Sequence, residues 1–312
     1  MTDAPIKITI AIPTYNRAAL LRQTLAGIGD QQFPRDYFEV LVIDNNSTDE
    51  TRTVVGEFAR ERPAPRYIRE YRQGLDHARN RAIREARGEI IVFADDDILV
   101  KPDWLVQLSV PLLADSSSRR IGAVGGEVIP IFPEGIPEWV SGWYAPLEFR
   151  RDAGAIESPH NPMGANLAIP RWIFSEMGGF NTNLDRVADR CFCGGDREML
   201  RRVRDAGYEV WFAPDAAVQH QFPASRMTFH YACRHAFDSA RSRVIYRTAE
   251  ADAKGYLAGR FVANITKAAG FGILAVLNVV FLQTSAAKRS LVRAWRSCGY
   301  VYQISRTALR LG

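Results

Sequence analysis

Within the first hundred residues an apolar run is repeatedly followed by polar loop residues and then by helical spacing, and this alternation limits the fold more than any other feature of the chain. Ile6 to Ile12 reads as a strand, and Ala18 to Ile28 then places Leu20, Leu21, Leu25 and Ile28 at helical intervals. Val40 to Ile43 repeats the strand signal, and Asp44-Asn45-Asn46-Ser47 opens a second helix in which Ser47 and Glu50 have capping-box spacing. Tyr67 to Arg69 reads as a short strand, His77 to Ala86 as a helix closed by Gly88, and Glu89 to Ala94 as an apolar strand that stops at Asp95-Asp96-Asp97. Such alternation requires crossover helices covering a largely parallel sheet. It predicts an α/β fold whose ligands sit beyond the carboxyl ends of the strands.

From Gly122 the character changes, because glycine, proline and tryptophan crowd together in IGAVGGEVIPIFPEGIPEWVSGWYAP and predict short strands and loops. A helix follows over Arg197 to Ala206, ending at Gly207, and then a strand over Glu209 to Phe212. A hydrophobic fraction of 47% and a charged fraction of 24% exclude wholesale disorder and a many-span membrane protein. The four cysteines, Cys191, Cys193, Cys233 and Cys298, are too few and too irregular for a disulfide framework, so free thiols are expected. The start, MTDAPIKITIAIPTYNR, lacks the pattern of a signal peptide, which predicts a cytoplasmic body.

Chemistry concentrates at the strand ends. On an extended backbone Asp95 and Asp97 fall on one side and Asp96 on the other, so two carboxylates converge on a divalent cation and its phosphates. Like charges this close need something positive to neutralise them; an isolated solvated acidic turn is the alternative. Pro13, Thr14, Tyr15, Asn16 and Arg17 follow the first strand, and Asp44 to Ser47 follow the second, so both loops can line one crevice. Asp44 can accept the N–H of a base against Tyr15, whereas Asn16 and Ser47 read equally well as helix caps. Arg79 can approach a diphosphate, although a surface helix arginine is the default.

Taken in order, Ile12 to Arg17, Val42 to Asp49, Gly74 to Asn80 and Asp95 to Asp97 resemble the donor-binding motifs of the inverting family 2 glycosyltransferases with the GT-A fold, and the resemblance continues to about His220. It implies that Thr14, Asp44 and Arg79 hold a nucleoside, that Asp95 and Asp96 lie by the ribose and phosphates, and that Asp97 binds the metal, Mg2+ or Mn2+, with Asp95 and His220. Gly164-Ala165-Asn166 looks like the turn that lies against donor and acceptor. Gly194-Gly195-Asp196 looks like the segment carrying the catalytic base, although the family more often has an acidic residue where Gly195 stands. Displacement at an anomeric carbon needs a carboxylate to take the acceptor proton while a cation stabilises the departing diphosphate, so Asp196 and the metal must face one gap. Asp196 also stands where a helix cap is expected. Trp139, Trp143, Tyr144 and Trp172 suggest an aromatic platform for an acceptor sugar, with ordinary core packing as the alternative for each. The processive members' Gln-x-x-Arg-Trp motif is absent, which favours addition of a single sugar.

The division expected on this resemblance is a GT-A domain over residues 1–245, with a nucleotide-binding half at 1–100 and an acceptor half at 101–245, followed by a basic helical tail at 246–312. The chain carries a net charge of +5, yet no Asp or Glu occurs from Ala253 to Gly312. Ala268 to Leu282 is uncharged and shorter than the about 20 residues of a full span. This, with Trp295, Tyr300 and Tyr302 beyond it, predicts an interfacial or re-entrant helix in a tail docked on an anionic membrane surface at the inner face of the cell membrane, not on nucleic acid, with a core helix of a soluble protein as the alternative. The expected partners are a UDP-sugar and a saccharide or polyprenyl-linked acceptor. A nucleotidyltransferase, or a silent sugar-nucleotide-binding protein, would share these features and differ in product.

Overall fold

A computed structural model describes residues 6–60, 63–115, 118–140, 152–185, 191–248 and 253–311. The chain divides into two compact units. The first comprises 1–131, 145–182 and 195–221, and the second 132–144, 183–194 and 222–312. The boundary expected at 245 thus falls inside a helix of the second unit, whose main part begins at Phe222.

In the first unit the strands are β1 (Ile8–Thr14), β2 (Phe38–Asp44), β3 (Arg66–Arg69), β4 (Ile90–Ala94), β5 (Ile98–Val100), β6 (Ile121–Ile131), β7 (Gly154–Ala155), β8 (Asn166–Pro170) and β9 (Glu209–Gln221). They form one mixed sheet in the order β3-β2-β1-β4-β8-β6-β9-β5, with β7 on β9. The β3-β2-β1-β4 half is parallel, as the alternation predicts. Beyond it β8 runs antiparallel to both β4 and β6. The glycine-rich stretch forms the long strand β6, with register shifts between Ile121 and Ala123 and between Gly126 and Val128, where short strands were expected.

The helices are α1 (Ala18–Gly29), α2 (Thr51–Glu57), α3 (Leu75–Glu85), α4 (Trp104–Ala114), α5 (Arg171–Met177) and α6 (Gly195–Asp205). β1, β2 and β4 are buried along their whole length because helices cover both faces of the sheet, so they read as continuous apolar runs. Pleat alternation then sorts the core. Ile8, Ile10, Ile12, Val40, Val42 and Val92 face Leu21, Val54 and Trp104, whereas Ala11, Leu41, Ile43, Ile91 and Phe93 face Ala78, Phe174 and Met199.

The second unit contains α7 (Phe229–Arg247), α8 (Ala253–Val280) and α9 (Thr284–Leu311). Thr228 caps α7 by accepting from the Tyr231 amide, and Leu282, at φ 58°, ends α8 in the left-handed conformation common at helix termini. Trp139 packs in this unit against Phe229, while Trp143 and Tyr144 lie outside the described residues. The apolar run in the tail belongs to a longer helix than its uncharged stretch suggests. Gly255–Val280, 26 residues, is long and apolar enough to cross a membrane by length and composition, which corrects the expectation that the run falls short. Ile273, Val276 and Val280 are exposed along its distal half, and Leu282 is exposed just beyond its end.

Candidate active site

The carboxyl ends of β1, β2 and β4 face the end of β9, and the side chains there form one charged cluster. β4 stops at Ala94, so the three aspartates lie on a turn and not on extended backbone. Thr14 holds Asp96 alone, Arg17 spans Asp96 and Asp97, and Asp95 and Asp97 face His220. Thr14 Oγ1 donates to Asp96 Oδ2 at 2.7 Å, and Arg17 Nη1 bridges Asp96 Oδ1 at 3.0 Å and Asp97 Oδ2 at 2.6 Å. The pairing of Ile98 with His220 brings the imidazole over the turn, where Nε2 lies 2.7 Å from Asp97 Oδ1 and 3.9 Å from Asp95 Oδ2.

Electrostatics at this cluster are dominated by the conflict between burial and charge. Burial would raise the Asp97 carboxyl, but the His220 hydrogen bond and charge, with Arg17, hold it below the usual range. Burial would lower His220, and Asp97 overcomes that and raises it. Asp96 is pushed up to about 6 by burial, against the attraction of Arg17. Arg17 itself is raised, since the carboxylates of Asp96 and Asp97 outweigh its burial. Arg17 and His220 already set positive charge against these carboxylates, and a hard cation is a further group that neutralises such a cluster. Asp95, Asp97 and His220 fit that role, since each offers a ligand atom and these atoms lie within 4.8 Å of one another. Carboxylate oxygen and imidazole nitrogen are suitable donors for a divalent ion.

A second group joins this cluster to the loop of the expected base. Arg79, on α3, is buried; its Nη2 stands 4.0 Å from Asp95 Oδ1 and its Nη1 3.2 Å from Asp76 Oδ1. Its pKa is raised: the charges of Asp76, Asp95 and Asp196 outweigh burial. Arg79 Nε has no hydrogen-bond partner among the described residues, leaving donor capacity for an anionic ligand. Asp196 lies in the first turn of α6, one position inside the helix, and its Oδ2 accepts from the Gly164 amide at 3.0 Å. Asp95, Arg79, Gly164 and Asp196 are thus neighbours, and the metal-type cluster and the candidate base share one locality.

The remaining expected residues divide. Asp44 is buried, with Oδ1 taking the Ser47 amide at 2.8 Å and Oδ2 the Tyr67 hydroxyl at 2.5 Å. Tyr67 is in turn raised to about 12 by burial and by that bond. Tyr15 is exposed beside Pro13 and Thr14 at the end of β1. Ser47 does not cap α2. Its Oγ accepts the Asn16 amide, and Asp49 serves both helices, taking the Ala18 amide with Oδ2 and the Thr51 amide with Oδ1.

Two assignments need correction. Asn166 is wholly buried; its Oδ1 accepts from Trp104 Nε1 at 3.0 Å and its Nδ2 donates to the carbonyls of Glu127 and Ala216, so the amide ties the sheet together away from solvent. Trp172 follows Pro170, which pairs with Ile90 at the start of β4, whereas Asp95 follows the far end of β4. It packs against Tyr208 and Arg119 at the opposite rim of the sheet and takes no part in the cluster. Gly164 donates its amide to Asp196 and lies against Arg79, and Gly195 lies against Asp76, whereas Ala165 is buried in the apolar core. Asp76 and Tyr67 were missed, because a helix acid and a strand tyrosine carry no local signal.

Comparison with known proteins decides the family. The pattern of Glycosyl transferase family 2 matches residues 9–176, more than half of the chain. The chain belongs to glycosyl transferase family 2. Among curated relatives of this glycosyltransferase, AglE of Haloferax volcanii is 27% identical over 221 residues, which span 70% of this chain and 68% of AglE. A glucosyl-dolichyl phosphate glucuronosyltransferase of the same organism is 23% identical over 265 residues, or 81% and 82% of the two chains. The mannosyltransferase PcManGT of Pyrobaculum calidifontis, solved with GDP-Man and Mn2+, superposes with a TM-score of 0.60 at 24% identity over 99% of this chain and 90% of its own. S. aureus TarS 1-349, solved with UDP, gives 0.54 at 15% identity over 98% and 92%. At such identities the likeness establishes the fold, which is GT-A.

Proposed function

We propose that this family 2 glycosyltransferase moves one sugar from a nucleoside-diphosphate donor, a UDP-sugar, onto a hydroxyl of a saccharide or lipid-linked saccharide, with inversion and with the help of Mg2+ or Mn2+. The observation that carries this is the shared locality of Asp95, Asp97 and His220 with Asp196, joined through Arg79. Asp97, Asp95 and His220 would hold the cation, which would offset the charge of the departing diphosphate. Arg79 directs its guanidinium toward the same phosphates. Asp44 and Tyr15 flank the nucleoside, and the backbone at Gly164 and Ala165 borders the sugar. Asp196 takes the proton from the acceptor hydroxyl as its oxygen bonds to the anomeric carbon, and the bond from that carbon to the diphosphate oxygen breaks on the opposite face. The nucleoside diphosphate leaves with the electron pair.

The relatives support a lipid-linked acceptor: among them are a glucosyl-dolichyl phosphate glucuronosyltransferase and, over 29% of this chain, a GalNAc(5)-diNAcBac-PP-undecaprenol beta-1,3-glucosyltransferase of Campylobacter jejuni. A lipid-linked acceptor in turn suits a protein whose acid-free α8 and α9 rest at the inner face of the membrane, with α8's apolar residues toward lipid and Lys288, Arg289, Arg293 and Arg296 toward anionic headgroups.

A screen of sugar nucleotides by thermal shift, with and without Mn2+, tests the donor reading, since a ligand that binds the native state raises Tm. The expected outcome is a Mn2+-dependent rise with one UDP-sugar, and release of UDP when acceptor is added. Release of pyrophosphate from a nucleoside triphosphate would instead identify a nucleotidyltransferase, and binding without turnover a silent sugar-nucleotide-binding protein.

A further inference from the structure

The residue before the candidate base is Gly195, and the space above it is not empty. A Cβ built on Gly195 would lie 2.2 Å from Asp76 Oδ2 and 2.8 Å from Asp76 Cγ, closer than real Cβ atoms approach their neighbours. Asp76 is 2% exposed and holds Arg79 through its other oxygen. Arg79 in turn lies flush against Gly164, where a built Cβ would meet Nη2 at 2.3 Å, and Gly164 donates its amide to Asp196. Two glycines thus admit one buried Asp–Arg pair from α3 between the base loop and Asp95. The closed path runs Asp95, Arg79, Asp76, Gly195-Asp196, Gly164 and back to Arg79.

We propose that Asp76 is a positioning residue for transfer: its carboxylate, reaching in from α3, occupies the place that an acidic side chain at position 195 would fill, and it fixes the Arg79 guanidinium between Asp95 and the base loop. The charges explain why something must stand there. Arg79 has three carboxylates within its influence, and Asp76 gives it a fixed partner on its own helix, in i,i+3 relation. Without that partner the guanidinium is free to turn onto Asp196, which would tie up the group that must accept a proton and withdraw Nη2 from Asp95. An aspartate placed at 195 would carry its own oxygen into the volume that Asp76 Oδ2 now fills, since that oxygen already lies about where a carboxylate on such a Cβ would end.

The inference rests on the transfer reading given above, and relocation of the charge tests it. Steady-state kcat and donor KM are measured for the wild-type protein, Asp76→Asn, Gly195→Asp, and the double variant Asp76→Ala with Gly195→Asp, each checked for fold by circular dichroism and Tm. Asp76→Asn keeps the side-chain volume and is expected to fold while kcat falls by about 10²-fold, the order expected when reacting groups are misplaced. Gly195→Asp alone is expected to be inactive, from overlap and like charge with Asp76. The double variant is expected to regain about tenfold or more over Asp76→Asn, because the carboxylate is restored from the other element. A purely structural role in the first turn of α3 would move Tm, leave kcat in the folded Asn variant near wild type, and gain nothing from an acid at 195. Wild-type kcat and KM in folded Asp76→Asn, or a double variant no better than the single ones, would overturn the proposal while leaving the transfer reading intact. A wild-type protein that turns over no donor would overturn both.

Discussion

Replacing Asp196 with Asn separates the chemical role of this side chain from its structural one. The carboxylate accepts the Gly164 amide with Oδ2 at 3.0 Å and the neighbouring Arg197 amide with Oδ1 at 2.8 Å, and Asn retains one oxygen that can keep the bond to Gly164. Asn also serves at a helix start about as well as Asp, and the side chain is only partly buried, so Tm should change little. What is lost is the ability to take a proton. General-base assistance contributes about 10² to 10⁴ in rate, or about 3 to 5 kcal/mol of transition-state stabilisation at 1.36 kcal/mol per tenfold. The effect should fall on kcat. Donor KM should stay within about twofold, because Asp95, Asp97 and His220 are untouched. The assay is UDP release with the donor found by thermal shift, run with saturating Mn2+ and acceptor. A folded Asn variant that keeps more than about a tenth of wild-type kcat would refute the assignment and place the base elsewhere.

Asp97→Asn and His220→Ala should each raise the Mn2+ concentration needed for half-maximal activity by on the order of tenfold or more, read from metal titrations of initial rate. Asn166→Ala should lower stability by about 3 kcal/mol or more in urea denaturation, since Trp104 Nε1 and the carbonyls of Glu127 and Ala216 lose a buried partner, whereas Trp172→Ala should leave kcat/KM unchanged. Burial would raise the Asp49 carboxyl, but bonds from the Thr51 hydroxyl and the Ala18 and Thr51 amides hold it below its ordinary value. Its folded-state pKa is therefore the lower one, so the stabilisation it gives is complete above about pH 4 and fades as pH falls below that; Asp49→Ala should flatten this part of the acid denaturation curve. The protein should co-sediment with vesicles containing phosphatidylserine and not with neutral ones at low salt, and Ile273→Glu with Val276→Glu should weaken that binding.

Much of the parallel half of the fold was legible because strands covered on both faces must be apolar throughout, as β1, β2 and β4 are. The aspartate cluster was legible for the converse reason: charge abruptly ending such a run has few structural uses. Asn166 and Trp172 misled because residue type says what a side chain can do and not which end of a strand it occupies. In the antiparallel β8 the chain runs back toward the far rim within five residues, carrying Trp172 away from the site. Asp76 was invisible since its role depends on two glycines more than eighty residues away, Gly164 and Gly195, whose missing side chains make room for the Asp76–Arg79 pair. The extent of α8 was misjudged because the apolar run was measured from its last charge, Lys267, although a helix carries one such residue without interruption.

The loops after β1 and β2 are not two independent flaps. Asn16 accepts the Thr48 amide, Ser47 accepts the Asn16 amide, and Asp49 reaches across to Ala18, with Asn16 and Asn46 both at positive φ. These bonds hold the two loops together as a single plate. A nucleoside settling there would find its floor already set, so little ordering of this region would be charged against its affinity, and discrimination between bases would come from a fixed outline and not from a surface that adapts to each.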